Sequence, residues 1–310
     1  MPTRLEGLAF RVRMRAKAIT AAILGRLALV VLRVLRKFDA DRVANFAGRY
    51  LRALGPWLPE HRVGRANLKT AFPEKSAAEI EQILRGVWDN LGRIGGEFAH
   101  LDRLWNVDLE HLERGRIEAS PETIARFKAL RDDGKPALVF AAHLGNWELP
   151  ALATAVYGLE SAIIFRRPSI ADVDRLVSEL RSMSMGTLIP TGIDAPVRAA
   201  YALERGVHVG MLVDQYFNRG VEVTFFGRRT LANPMLARLA RQVDCPIHGT
   251  RAIRLPNHRF RIELTEAIAP ARDHDGQIDV AGTMQVITSI IEGWIREYPE
   301  QWLWLHRRWR

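Results

Sequence analysis

Three rhythms of hydrophobic and polar positions divide the chain. In the first forty residues an apolar run, Ala18 to Leu32, is preceded by Arg4, Arg11, Arg13, Arg15 and Lys17 and closed by Arg33, Arg36 and Lys37, with Arg26 inside it. As a helix, this run reaches about 22 Å at roughly 1.5 Å per residue, short of a hydrocarbon core of roughly 30 Å. An arginine at mid-bilayer would cost about 3 kcal/mol more. A helix lying in the headgroup layer, its arginines reaching toward phosphates, suits the pattern better than a span or a core helix. No small-residue cleavage site precedes Arg33, which argues against a cleaved signal peptide.

From Asp41 to about Asp102 the period is helical. Ser76 followed by Glu79 forms a capping box for a helix running to about Ala99, and Pro73 sets its upstream limit. Later the rhythm changes to short β-rich apolar runs at Ala137–Ala142, Ser161–Phe165, Val207–Val213, Val221–Phe226, Pro246–Ile253 and Phe260–Leu264. Helical stretches at Leu149–Val156, Asp172–Met185, Ala195–Arg205 and Leu231–Gln242 separate several of them, and a last helix spans Val280–Glu297. Strands alternating with helices predict an α/β fold with a mixed central sheet flanked by helices. The expected organisation is a membrane-associating segment over 1–40, then one domain over 41–310, with a helical lead-in to 130 and an α/β core from 131.

Composition adds two constraints. Hydrophobic residues at 48% and charged residues at 26% supply a globular core and exclude a disordered chain. The net charge of +10 implies a polyanionic partner, whether anionic lipid, an acidic protein or nucleic acid. No RNA-binding signature, zinc finger or basic zipper is present, so nucleic acid is not expected. A single cysteine, Cys245, excludes an intrachain disulfide and a cysteine zinc cluster. The histidines show no ligand spacing, and there is no G-x-S-x-G, Walker loop, G-x-G-x-x-G or H-E-x-x-H. Neither metal nor cofactor is expected.

The segment Ala137–Pro150, ALVFAAHLGNWELP, carries the candidate chemistry. A short buried strand ends at Ala142, His143 follows, Gly145 and Asn146 turn the chain, and Pro150 fits the first turn of a helix. His143 thus sits at the carboxyl end of a strand, where open α/β sheets bind ligands. On a continuous helix His143 and Glu148 would stand about 140° apart, and the Gly-Asn turn lets Glu148 fold back toward the imidazole. An imidazole backed by a carboxylate can take a proton from an alcohol attacking a carbonyl. Spacing alone equally permits a satisfied buried histidine and a first-turn acid beside the helix dipole.

HLGNWE at 143–148 resembles the H-x4-D/E motif of glycerolipid acyltransferases, and its wording is similar to the late acyltransferases of lipid A biosynthesis, the lauroyl/myristoyl transferase family. NLKTAFPEKSAAEIEQI from Asn67, FRRP at Phe165–Pro168, LVDQ at Leu212–Gln215 and PEQWLWLHRRW at Pro299–Trp309 resemble further blocks of that family in the same order. The N-terminal apolar run is weaker than the anchor such relatives carry.

The resemblance implies transfer of an acyl chain from acyl carrier protein to a hydroxyl of a phosphorylated lipid A precursor at the cytoplasmic face of the inner membrane. His143 is then the expected base and Glu148 its partner. Arg166 or Arg167 would hold phosphate or polarise the thioester, and Arg181 and Asp214 match a basic and an acidic family position. An N-cap or a salt bridge serves Asp214 equally well. The tail, with Trp302, Trp304 and Trp309 among His306, Arg307, Arg308 and Arg310, suits a membrane interface or a cap on the core. Two alternatives remain: another acceptor (a glycophospholipid, or water in a thioesterase), and a non-enzymatic protein binding anionic membrane.

Overall fold

The computed structural model describes residues 20, 23, 25–105, 115–168, 170–182 and 184–309. A seven-stranded sheet runs in the order β1 (Ile117–Glu118), β9 (Phe260–Leu264), β8 (Ile247–Arg254), β2 (Leu138–Ala141), β5 (His208–Leu212), β3 (Ser161–Phe165), β4 (Thr187–Pro190). Every pair is parallel except the antiparallel β8–β9. The sheet is therefore mixed and flanked by helices, as the alternation of patterns predicts.

The central strands are apolar on both sides because helices cover both faces. The helix Val280–Glu297, whose bounds match the expectation, buries Met284, Ile287, Ile291 and Ile295. Its Trp294 stacks on Phe140 of β2 with centroids 5.6 Å apart. The helix Ala195–Glu204 contributes Ala199 and Leu203 to the same core.

Two expectations need correction, and two strands escape the pattern. The strand expected at Val221–Phe226 lies outside the main sheet, in an antiparallel hairpin of β6 (Val221–Phe225) and β7 (Arg228–Ala232). β7 also displaces the start of the next helix from Leu231 to Met235. The pattern missed β7 because Arg228 and Arg229 face solvent and only Thr230 and Ala232 turn inward. It missed β4 because only Ile189 there is buried.

The lead-in is helical. Asp39 caps the helix Ala40–Leu54 by accepting from the Arg42 amide, and the Ser76–Glu79 capping box opens the helix Ala77–Phe98. These two helices run antiparallel and almost touch. A Cβ on Gly96 would come within 3.0 Å of the Ala44 Cα, and one on Gly92 would overlap the Ala47 carbonyl. The contact places Glu97 and Phe98 beside the carboxyl ends of the central strands.

The basic cluster 4–17 and residues 18, 19, 21, 22 and 24 of the apolar run lie outside the described residues. Residues 25–35 are helical, with Leu27, Val30, Val31 and Val34 exposed. Arg36 ties this segment to the body through both oxygens of Asp102 at 2.9 and 2.8 Å. Among the described residues no helix is long and apolar enough to cross a membrane.

Candidate active site

β2 and β5 are parallel neighbours, and Ala141 pairs with Leu212. Two residues beyond that last pair stand His143 on one strand and Asp214 on the other, which brings them side by side at the carboxyl edge. The connections leaving the two strands run in opposite directions along the sheet, the topology at which open α/β folds form a crevice.

The imidazole Nδ1 of His143 lies 2.8 Å from Asp214 Oδ1. Asp214 Oδ2 accepts from the His143 amide at 2.9 Å and from the Trp302 indole at 2.7 Å. Burial alone would raise the Asp214 carboxyl, but the adjoining His143 and the hydrogen bonds outweigh it and hold the group well below the usual carboxylate range. An ionised Asp214 has no proton to donate, so Nδ1 carries one and Nε2 is left as the acceptor. Nε2 faces the side-chain amide of Gln215 at 3.4 Å, and the ring meets Trp147 edge-on with centroids 5.1 Å apart.

The expected His143–Glu148 pair is not formed. Glu148 starts the helix Leu149–Val156, and its carboxylate accepts two hydrogen bonds from Arg181, at 2.9 and 2.5 Å. Arg181 in turn lies over the Phe98 and Phe165 rings, 5.6 and 5.7 Å from their centroids. The structure therefore pairs the two expected carboxylates differently: Asp214 with His143, Glu148 with Arg181. Arg166 and Arg167 are exposed beyond β3, and Arg167 approaches Asp174 at 4.0 Å. They line the carboxyl edge without touching His143. A cavity of about 480 Å³ opens there between Phe165, Arg167, Asp174, Arg175, Leu188 and Pro190. A larger one, about 610 Å³, lies at the β1–β9 side of the sheet, away from this chemistry.

Sequence reasoning missed the scaffold that holds the turn carrying His143. Gly145 has φ +58°, and a Cβ there would run into the Ala252 carbonyl, so glycine is required on two counts. The tail clamps the same turn: the Leu303 amide donates to the His143 carbonyl, and the Gly145 amide to that of Gln301, each at 3.0 Å. Trp302 and Trp304 are fully buried. For these two the core reading of the tail holds.

Beneath the turn, Arg254 donates to both oxygens of buried Glu97, which also accepts from Asn146 at 2.8 Å. Asn90 bridges from Arg254 to the Gly145 and Gln301 carbonyls. Removing one charge of a buried pair strands the other. Glu97→Gln should therefore lower unfolding free energy by about 3 kcal/mol or more, measured by urea denaturation. An unchanged midpoint would contradict this reading.

Acid should also destabilise the protein. Burial holds the His208 and His306 imidazoles below their ordinary value of 6.5. As pH falls through that value the unfolded chain takes up protons that the folded chain resists, so stability is highest above it and falls below it. The depressed Asp214 carboxyl adds a further loss below 3.8, its ordinary value. Calorimetry should give a lower Tm at about pH 5.5 than at about pH 7.5. Equal values would refute the sign.

An imidazole hydrogen-bonded to a buried carboxylate thus stands at a sheet crevice of an α/β protein, with arginines along the same edge. The sequence matches the family model for bacterial lipid A biosynthesis acyltransferase over residues 8–310, and the chain belongs to that family. It is accordingly an acyltransferase, with an acyl donor and a lipid A precursor as its substrates. No curated protein matches it. Among the described residues no cluster of histidine, cysteine and carboxylate side chains could hold a metal ion.

Proposed function

We propose that His143 is the general base of acyl transfer and that Asp214, rather than Glu148, is its carboxylate partner. The observation that carries this reading is the 2.8 Å contact between His143 Nδ1 and a buried, ionised Asp214. Nε2 takes the proton of the acceptor hydroxyl as its oxygen attacks the thioester carbonyl. The imidazolium, stabilised by Asp214, then returns that proton to the departing thiolate. The acceptor supplies the nucleophile, so no serine is needed.

The donor in this reading is an acyl group on acyl carrier protein. Arg166 and Arg167 meet phosphates of the acceptor as two-pronged donors. Arg181, engaged by Glu148, fastens the helix Ala171–Ser182 to the catalytic turn. The protein works at the cytoplasmic face of the inner membrane, held there peripherally by its N-terminal segment. The test is mass spectrometry of purified protein incubated with acyl carrier protein thioester and a lipid A precursor. Precursor gaining one ester-linked acyl chain is the expected product. Free fatty acid alone would identify a thioesterase and overturn the reading.

A further inference from the structure

The helix Ala40–Leu54 turns Val43, Ala44 and Gly48 toward the helix Ala77–Phe98. The flank beside that packed face is not polar. Phe46 is 70% exposed, Tyr50 55% and Leu54 39%, and Trp57 in the following 3-10 turn is 85% exposed. Residues four apart on a helix share a face, so the first three form one stripe. The Phe46 and Tyr50 rings stack at 6.2 Å. Exposed Arg42 and Arg49 border the stripe on the same helix, while nearby Asp41 is neutralised by Arg116 at 2.7 Å.

Aromatic rings projecting together from a protein surface mark an interaction site. Indole and phenol rings flanked by arginines match the chemistry of a membrane interface, where rings enter the headgroup layer and guanidinium groups meet phosphates. A second copy of the chain fits less well, because a symmetric contact would bring like-charged arginine rows together. We propose that Phe46, Tyr50, Leu54 and Trp57 form a membrane-docking surface for anionic bilayers, separate from the segment before residue 40. This deepens the reading of an enzyme working on a membrane-borne acceptor and rests on it. The helix that carries the stripe packs Ala44 against Gly96, next to Glu97, which binds Asn146.

The test uses the full chain with vesicles containing phosphatidylglycerol and with pure phosphatidylcholine vesicles, read by co-sedimentation. A triple variant, Phe46→Ser with Tyr50→Ser and Trp57→Ser, should bind the anionic vesicles at least about tenfold more weakly. Arg42→Glu with Arg49→Glu should lose the preference for anionic over neutral vesicles. Acyl transfer to detergent-dispersed acceptor should be unchanged in the triple variant, which also verifies folding. Vesicle affinity of the triple variant equal to that of the unaltered protein would overturn the proposal. So would a dimer in analytical ultracentrifugation that this variant dissolves, since the stripe would then be a self-interface. If the unaltered protein were inactive on dispersed acceptor while binding still depended on the stripe, the docking surface would stand and the proposed activity would fall.

Discussion

Replacing His143 by alanine should lower kcat for acyl transfer by about three to four orders of magnitude. In the proposed mechanism the imidazole takes the acceptor proton through Nε2, which faces away from Asp214. Alanine leaves no base within reach of that position. Neither carboxylate can substitute, because Asp214 is buried behind the ring and Glu148 is engaged by Arg181. The KM for either substrate should change little, since the ring acts on the reacting atoms rather than on the bulk of either substrate. Asp214 keeps two of its three donors, the His143 amide and the Trp302 indole, so the fold should survive. Steady-state kinetics beside a melting curve separates lost chemistry from lost structure. A variant retaining a tenth of the activity or more, as an order of magnitude, would remove His143 from the mechanism.

Asp214→Asn should be nearly as severe, for a different reason. Oδ2 accepts from two donors, the His143 amide and the Trp302 indole, so the carbonyl oxygen of an asparagine belongs there. Its NH2 group is then turned to the Oδ1 position, facing Nδ1. An amide donor at that place forces Nδ1 to accept and moves the imidazole proton to Nε2. The histidine would sit in its native position in the wrong tautomer, unable to take a proton from the acceptor. A fall in kcat of about a thousandfold or more, with little change in KM, is expected. The variant should remain folded, because no volume changes and no buried charge is created.

The alternation of strand and helix, the Ser76 cap and the position of His143 at a strand tip were all legible in the sequence, because they depend on local pattern and turn chemistry. The partner of the histidine was not. His143 and Asp214 are 71 positions apart, and they meet because β5 inserts between β2 and β3, an order that no local pattern encodes. Glu148 drew attention by proximity in the chain, yet Gly145 and Asn146 turn it toward Arg181. Asp214 did carry a signal, an acid directly following a buried apolar strand, as His143 follows its own. Pairing strand ends with strand ends would have linked the two. The tail was ambiguous because tryptophans and arginines serve an interface and a core equally well. Buried Arg308, lying 4.9 Å over Phe225 and lowered by burial to about 10, shows how far the core tolerates a charge that the pattern assigns to solvent.

The decisive comparison sets the two carboxylates against each other. Single-turnover acyl transfer, followed by mass spectrometry of the lipid product, should be measured for Asp214→Asn and Glu148→Gln under identical conditions. The account predicts that Asp214→Asn is slower than Glu148→Gln by about a hundredfold or more, because only the first alters the proton on the imidazole. The opposite ranking, with Glu148→Gln inactive and Asp214→Asn close to the unaltered enzyme, would contradict it.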